Sequence, residues 1–394
     1  MKKLVSKDQA IKLIQKLKLQ NYQIVNEKLI DALDRRSIKK IYSPINLPEL
    51  PTAGLDGYVM SSVKSEKIKI HKKEISCGSN LTNLDKNFAY KVNTGATIDK
   101  NFKYLVPLEK VKVKNGILIF DKNNASKKDI KKIGEDLKKN TLILSPNERI
   151  TEFKIALLAS VGIIKIPLYK KIKIGVFSIG DELIDSTKIK KNKSQIYDSN
   201  RYQIINFLKK WPIDIVDLGI LSDNENSISN FYKKNIIKFD LMISSGGASS
   251  SNKDFISKFI EKNTKVIFKY IKIKPGRPCI FSHYKNVFLF SLPGNPLAVS
   301  INLLFIVSEF LNLFSFGKSV NATQVLSGFN ISKNKSFNNF YRVKIDKNNS
   351  AQLYNTKGSA KLISLSNADG LVEVPNGKIS IKKGDNLNFF KFQT

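Results

Sequence analysis

The chain has 394 residues, too many for one ordinary hydrophobic core, and its length points to two to four domains. Hydrophobic residues make up 42%, enough for packed globular domains. The formal net charge of +34 sets 67 Lys and Arg against 33 Asp and Glu, but the lysines are scattered over nearly every segment. That spread reads as solvated faces rather than a basic stripe, so no specific nucleic-acid partner is expected.

Taken in chain order, Ser6-x-x-Gln9 resembles a capping box, and helical periodicity covers about residues 6–40, with Ile11, Ile14 and Leu17 on one face. Pro44, Pro48 and Pro51 then force an extended connection. Strand-like pieces at Lys67–Ile70, Lys103–Pro107 and Gly116–Phe120, with Lys114-Asn115 as a turn, predict a small β-rich domain. A helix is predicted over Thr151–Ser160 with Thr151 as N-cap.

From Lys171 the pattern changes. Strands near Ile174–Phe177, Ile213–Ile220, Phe239–Ser244 and Val287–Ser291 alternate with helices at Asn200–Lys210, Ile228–Asn235, Phe255–Asn263 and Pro296–Leu313. This alternation predicts a doubly wound parallel sheet. After about residue 318 only short β runs remain (Tyr341–Ile345, Leu371–Pro375 and Leu387–Phe390), predicting a small C-terminal β domain. The fold class is therefore α/β plus β in several domains.

Leu297–Phe314 is apolar but carries Ser300, Asn302, Ser308, Glu309 and Asn312, which suits a buried helix better than a membrane span. The segment MKKLVSKDQAIKLIQKL lacks a signal peptide's apolar core, so a cytoplasmic location is expected. Cys77 and Cys279 form no C-x-x-C pair, and only His71 and His283 accompany them, so a metal here must be hard and oxygen-bound.

The most informative segment is DLMISSGGASSSNKDF (240–255). An apolar strand opens into Gly246-Gly247, then Ser249, Ser250 and Ser251, and reaches Asp254. Ligands bind at such strand ends in open α/β sheets because loop N–H groups face an anion. Three more loops share this position. GVFSIGDEL places Ser178, Gly180, Asp181 and Glu182 after a strand, read either as Mg²⁺ ligands or as a turn with a capping acid. IYDSNRY sets Asp198, Ser199 and Asn200 before a helix, with Arg201 as a fork-shaped donor suited to phosphate. SLPGNPLAVS puts Pro293, Gly294, Asn295 and Pro296 ahead of an apolar helix whose N-terminus attracts anions. IKPGRP adds Lys274 and Arg277 on a stiff turn that projects positive charge. In the first third, Asp56, Thr94 and Asp136 sit in LDGYVM, NTGATI and IGEDL; taken alone, each is a plain turn.

Together these strings resemble one family, the molybdopterin molybdenumtransferases or MoeA proteins, related to the C-terminal domain of gephyrin. LDGYVM, NTGATI, IGEDL, GVFSIGDELI, QIYDSNRY, LGILSDN, ISSGGASSSNKD, IKPGRP, LPGNP and GSAKLISLSNADGLVEVP occur in the family's order across residues 55–375. The resemblance implies an elongated homodimer. Residues 1–54 with 132–168 would form a mixed linker and dimerisation domain, and 55–131 a β-rich inserted domain. Residues 169–317 would form an α/β domain like the molybdopterin adenylyltransferase fold, and 318–394 a C-terminal β-barrel.

The family's reaction uses adenylylated molybdopterin and molybdate, releases AMP and leaves molybdenum on the dithiolene, assisted by Mg²⁺. On this resemblance Asp56, Asp136, Glu182 and Asp254 are expected to be catalytic, and Asp181, Glu182, Asp223 and Asp254 to be metal ligands. Lys274, Arg277 and Ser249 would bind molybdate. Gly246, Gly247 and the helix at Pro296 would face the pyrophosphate, with Thr94, Ser178, Gly180, Asp198, Ser199, Asn200, Arg201, Pro293, Gly294 and Asn295 completing the substrate site. Asp56, Thr94 and Asp136 would face the α/β domain of the other subunit, and an adenylyltransferase would be a transient partner. A catalytically silent scaffold and an adenylyltransferase-like protein are the alternatives. Two departures stand out: Ser251 replaces the family's glycine, and Arg277 its frequent lysine.

Overall fold

Ser6 opens the first helix, α1 (Lys7–Gln15), with the capping box expected from sequence: its hydroxyl accepts from the Gln9 N–H at 3.1 Å, and the Gln9 side chain accepts from the Ser6 N–H at 3.0 Å. A computed structural model describes residues 4–17, 23–79, 84–246, 255–316, 322–332, 336–354 and 361–392. The helix stops at Gln15 and a strand occupies Ile24–Lys28, so the expected helix over 6–40 is corrected. The β-branched pair Ile24-Val25 favours extended backbone over a continued helix. Two units emerge, one of Met1–Val25, Asp34–Arg36 and Leu168–Thr394, the other of Asn26–Leu33 and Ser37–Pro167.

The first unit is built on a seven-stranded sheet. Its strands are β1 (Leu4–Val5), β2 (Lys173–Ile179), β3 (Asp214–Leu221), β4 (Leu241–Ser245), β5 (Lys265–Ile271), β7 (Pro278–Tyr284) and β8 (Val287–Leu292); the short β6 (Ile273–Lys274) lies outside it. The expected parallel sheet is the run β3-β2-β4-β8. Beyond it, β7 is antiparallel to both β8 and β5, and β1 joins the edge parallel to β5.

Helices α2 (Asn200–Leu208), α3 (Glu225–Asn235) and α4 (Phe255–Asn263) cover this sheet with α1. Alternation along the strands explains why both faces are dry. Ile174, Val176, Leu241 and Ile243 pack with Ile14, Ile204 and Leu208 on one side. Phe177, Ile179 and Met242 pack with Ile228, Tyr232, Ile256 and Ile260 on the other. Each such fully buried side chain is worth roughly 1.5–3 kcal/mol of transfer free energy. After β8 the chain enters α5 (Pro296–Asn302), passes a π turn at Leu303–Val307 and ends in α6 (Ser308–Leu311). The π turn within this buried stretch was not expected from sequence.

The C-terminal part is a small closed barrel of β9 (Ala322–Ser327), β10 (Asn338–Ile345), β11 (Ser350–Leu353), β12 (Gly370–Val374) and β13 (Asn386–Lys391). The order β10-β11-β9-β13-β12 closes through pairing of β12 back onto β10. Val325, Val343, Ala351, Val372, Leu387 and Phe389 fill it. Strand β6 pairs parallel with β10, Ile273 beside Asn338 and Lys274 beside Asn339, which stitches the α/β sheet's KPGR turn to the barrel.

In the second unit Gly57–Met60 pairs with Tyr90–Val92 and Tyr104–Pro107. A hairpin joins Val111–Lys114 to Ile117–Phe120 through Asn115 and Gly116, both at positive φ, and Lys67–Lys69 adds a third strand. Thr151 caps the helix Glu152–Ser160, accepting from Lys154 N–H at 3.3 Å. Among the described residues no helix is long and apolar enough to cross a membrane.

Candidate active site

The parallel strands end abreast. Phe177, Ser244 and Ser291 are in register, followed by Ser178, Ser245 and Leu292. The Ser244 and Ser291 hydroxyls lie 2.8 Å apart. Asn200, in the first turn of α2, donates to the Ser245 hydroxyl and to the Gly294 carbonyl, each at 2.8 Å. The Ser178 hydroxyl and the Asn200 carboxamide oxygen are buried with no hydrogen-bond partner among the described residues. Buried polar atoms without partners are rare and mark places where a ligand or water completes the set.

Gly246 turns the chain out of β4 at φ +86°, and a Cβ there would stand 2.3 Å from the Ile179 carbonyl oxygen. Glycine is required on both counts. Its neighbours in the opening segment, Gly247, Ser249, Ser251 and Asp254, lie outside the described residues. At the PGNP turn, Pro296 takes the first helical position and Asn295 caps α5 with its own side chain, accepting from Leu297 N–H at 3.1 Å and Ala298 N–H at 3.3 Å. Those two N–H groups are therefore already bonded within the turn.

Two acids meet across adjoining strand ends. Asp181, just after β2, accepts from the Asp223 N–H, just after β3, at 3.2 Å. Glu182 is exposed, with a carboxylate oxygen 2.7 Å from where a Cβ on Gly180 would stand. Among the described residues no three Asp, Glu, His or Cys side chains gather as a metal site. Asp181, Glu182 and Asp223 thus do not by themselves form the expected Mg²⁺ set.

Arg201 is the largest departure from the sequence reading. Rather than projecting toward a phosphate, it is 2% exposed. Its Nε donates to Asp198 at 3.0 Å, and its two terminal nitrogens pair with Asp217 and Asp185. Asp198 also accepts from the Arg201 N–H at 3.2 Å. Burial alone would lower the guanidinium pKa, but the bonds to Asp217, Asp198 and Asp185 raise it instead. Asp185 is pulled from its ordinary 3.8 to about 2, first by the N–H and hydroxyl of Thr187 and then by Arg201. Arg201 and Asp198 are therefore engaged with each other, where the sequence reading took both as ligand contacts. Ser199 stands at the N-cap position of α2 without making a side-chain cap.

The KPGR turn is held from below. Gly276 has φ +114°, and its carbonyl accepts from the buried Asn302 carboxamide at 3.1 Å; the same nitrogen reaches Ala298 O at 2.9 Å. Lys274 and Arg277 are exposed, the Arg277 guanidinium 5.4 Å from the Tyr270 ring centroid. With Pro275 they line a cavity of about 710 Å³, closed on the other side by Phe337, Asn339 and Tyr341 of the barrel region.

In the second unit Asp56 is exposed and accepts from both the Thr94 N–H at 2.6 Å and its hydroxyl at 2.8 Å. These two bonds, the backbone one foremost, hold its carboxyl below the usual range. The pairing brings together two residues 38 positions apart. Asp136 is exposed in a separate turn, its N–H on the Leu47 carbonyl at 3.0 Å.

Three family models match consecutive parts of the chain: the MoeA N-terminal region (domains I and II) over residues 5–162, the "Probable molybdopterin binding domain" over 175–312, and the MoeA C-terminal region (domain IV) over 324–392. A molybdopterin molybdenumtransferase from Haemophilus influenzae is 31% identical over 287 residues, covering 72% of this chain and 71% of that protein. The chain belongs to the molybdopterin molybdenumtransferase family. A second such relative, from Staphylococcus epidermidis, is 23% identical over 398 residues, covering 97% of this chain and 94% of its own length. A crystal structure of a molybdopterin biosynthesis MoeA protein from Pyrococcus horikoshii superposes with a TM-score of 0.81 at 25% identity, over 100% of both chains.

Against this molybdopterin molybdenumtransferase background, the sequence reading missed the barrel side of the cavity. Phe337, Asn339 and Tyr341 sit in a segment, SFNNFY, that offers no glycine turn or charge to mark it. Asn302 was also missed as a support, because a lone Asn within an apolar helix reads only as a tolerated polar residue. Its signal was weak but present: a buried amide needs partners.

Proposed function

We propose that this chain inserts molybdenum from molybdate into adenylylated molybdopterin and releases AMP. Its membership of the molybdopterin molybdenumtransferase family gives it a role in molybdenum cofactor biosynthesis. The observation that carries the finer reading is the 710 Å³ cavity beneath Lys274 and Arg277. A small tetrahedral dianion needs fixed cations in a partly desolvated space, and a turn tethered by Asn302 supplies them without a large reorganisation. The strand ends, with Ser178 and Asn200 holding unpartnered polar atoms, suit the polar pterin and phosphate groups of the second substrate.

In this reading Asp56, Asp136, Glu182 and Asp254 act in catalysis, Asp56 with its carboxylate preset by Thr94. Asp181, Glu182, Asp223 and Asp254 are the proposed surroundings of a Mg²⁺ ion. With no complete ligand set among the described residues, no step is assigned to it. A homodimer is supported by apolar side chains left exposed in the second unit: Ile30, Leu33, Phe153 and Ile164. A cytoplasmic location and a transient encounter with an adenylyltransferase complete the proposal.

The test supplies adenylylated molybdopterin, molybdate and Mg²⁺, and follows AMP release and molybdenum incorporation. Molybdate-dependent AMP release is expected. Its absence rejects the transferase reading in favour of a binding scaffold.

A further inference from the structure

We infer that Arg201 is a positioning residue which, through a bulge in β3, sets the acids Asp181 and Asp223 side by side. The inference rests on the proposed reading of those acids as part of the reaction centre. The register of β2 on β3 carries the argument. Val176 pairs with Asp217, yet Ser178 pairs with Ile220, so β3 holds one residue more than β2 across the same span. The extra residue falls at Leu218-Gly219, and Gly219 has φ +76°. This is a β-bulge, a device that re-aims the residues beyond it and concentrates beside active sites.

Asp217 secures the bulge from both of its oxygens. Oδ1 accepts from the Gly219 N–H at 2.9 Å, spanning the extra residue, and Oδ2 takes an Arg201 terminal nitrogen. The other arms of the same guanidinium take Asp185 and Asp198, which flank the exposed excursion between β2 and α2. The loop that starts at Asp181-Glu182 and the strand that ends before Asp223 are thus fastened to one buried cation. Their meeting point is the 3.2 Å bond between the Asp181 carboxylate and the Asp223 N–H.

Only a planar fork fills this role. A lysine at 201 would bring the charge but satisfy fewer of the three carboxylates, since its donors radiate from one point. Charge neutrality and geometry can therefore be separated by substitution. Gly219 offers a second handle that leaves the ion pairs in place. A Cβ there meets no atom within 4 Å, so only the positive φ penalises a side chain. Asn tolerates that region and Val does not.

The experiment compares Arg201→Lys, Gly219→Val and Gly219→Asn in the full chain by steady-state kinetics and by crystallography. For Arg201→Lys and Gly219→Val, kcat is expected to fall by about 10-fold or more, as for displaced catalytic groups, while KM for molybdate stays within about twofold. Gly219→Asn is expected to retain kcat. In crystals of the first two variants the Asp181–Asp223 bond is expected to open. Retention of both kcat and the bond in Gly219→Val and Arg201→Lys overturns the inference. A parallel loss of melting temperature and of kcat, with the bond intact, also overturns it, because Arg201 is then a stabilising residue only. If the wild type shows no molybdate-dependent turnover, the functional reading fails, and the bond in the variant crystals still decides the structural inference.

Discussion

Lys7 and Glu373 stand 366 positions apart in the sequence and form an ion pair with little solvent around it, their side chains 14% and 6% exposed. The Lys7 ammonium also lies 5.3 Å from the Phe305 ring centroid and 5.8 Å from that of Phe340, and Glu373 accepts from Asn338 at 2.7 Å. One lysine in the first turn of α1 thus fixes the barrel strand that borders the cavity.

Breaking this pair from one side leaves a charge stranded. Lys7→Met should lower unfolding free energy by about 3–5 kcal/mol, whereas Lys7→Met combined with Glu373→Gln should regain much of it. Urea unfolding of the four members of that double-mutant cycle measures the coupling.

Asn302→Leu removes the only donor to the Gly276 carbonyl seen among the described residues and frees the KPGR turn from its support. A loss of about 1–3 kcal/mol is expected from the buried carbonyl left unpaired. KM for molybdate should rise as Lys274 and Arg277 lose their fixed direction. Both can be read on one preparation, by thermal melting and by initial rates.

Gly246→Ala adds a methyl against the Ile179 carbonyl at a backbone angle that L-residues avoid. The expected destabilisation is about 2 kcal/mol or more. Gly78→Ala, also at positive φ but in open space, serves as the comparison and should lose less. Equal losses would mean that the backbone angle, and not the close approach, sets the cost at Gly246.

Asp185 gives a pH signature. Its folded pKa of about 2 lies below the ordinary 3.8, so the unfolded chain takes up the proton first as pH falls. The stability it contributes is complete above about pH 4 and disappears as pH drops toward 2. Asp185→Asn should therefore be less stable than wild type at pH 6, with the gap closing between pH 4 and pH 2 in denaturant titrations.

Much of the architecture could be read from local chemistry. The Ser6–Gln9 box and the Thr151 cap announce their helices, and the runs that became β2 and β4 are apolar because both sheet faces are covered. The antiparallel pairing of β5 with β7 was harder to read, because Lys269, Lys272, Lys274 and Arg277 interrupt the apolar residues and Pro275 and Pro278 break the run. The three carboxylates around Arg201 were not legible because they come from three different segments, at 185, 198 and 217, and a guanidinium fork suits carboxylates as well as phosphates. The bulge at Gly219 is likewise a property of pairing, invisible in β3 alone.

Strand β1 has a temporal side. Leu4 and Val5 dock beside Tyr270 and Ile271, and Val5, Ala10 and Ile14 join a buried core whose other residues come from Ile172 onward. The earliest of these residues to leave the ribosome is therefore among the last that can find its place. Until β5 has been synthesised, that apolar segment has no sheet to join. The same sheet edge stays open in the nascent chain, so the N-terminal strand acts as a closing seal on a domain assembled long after it was made.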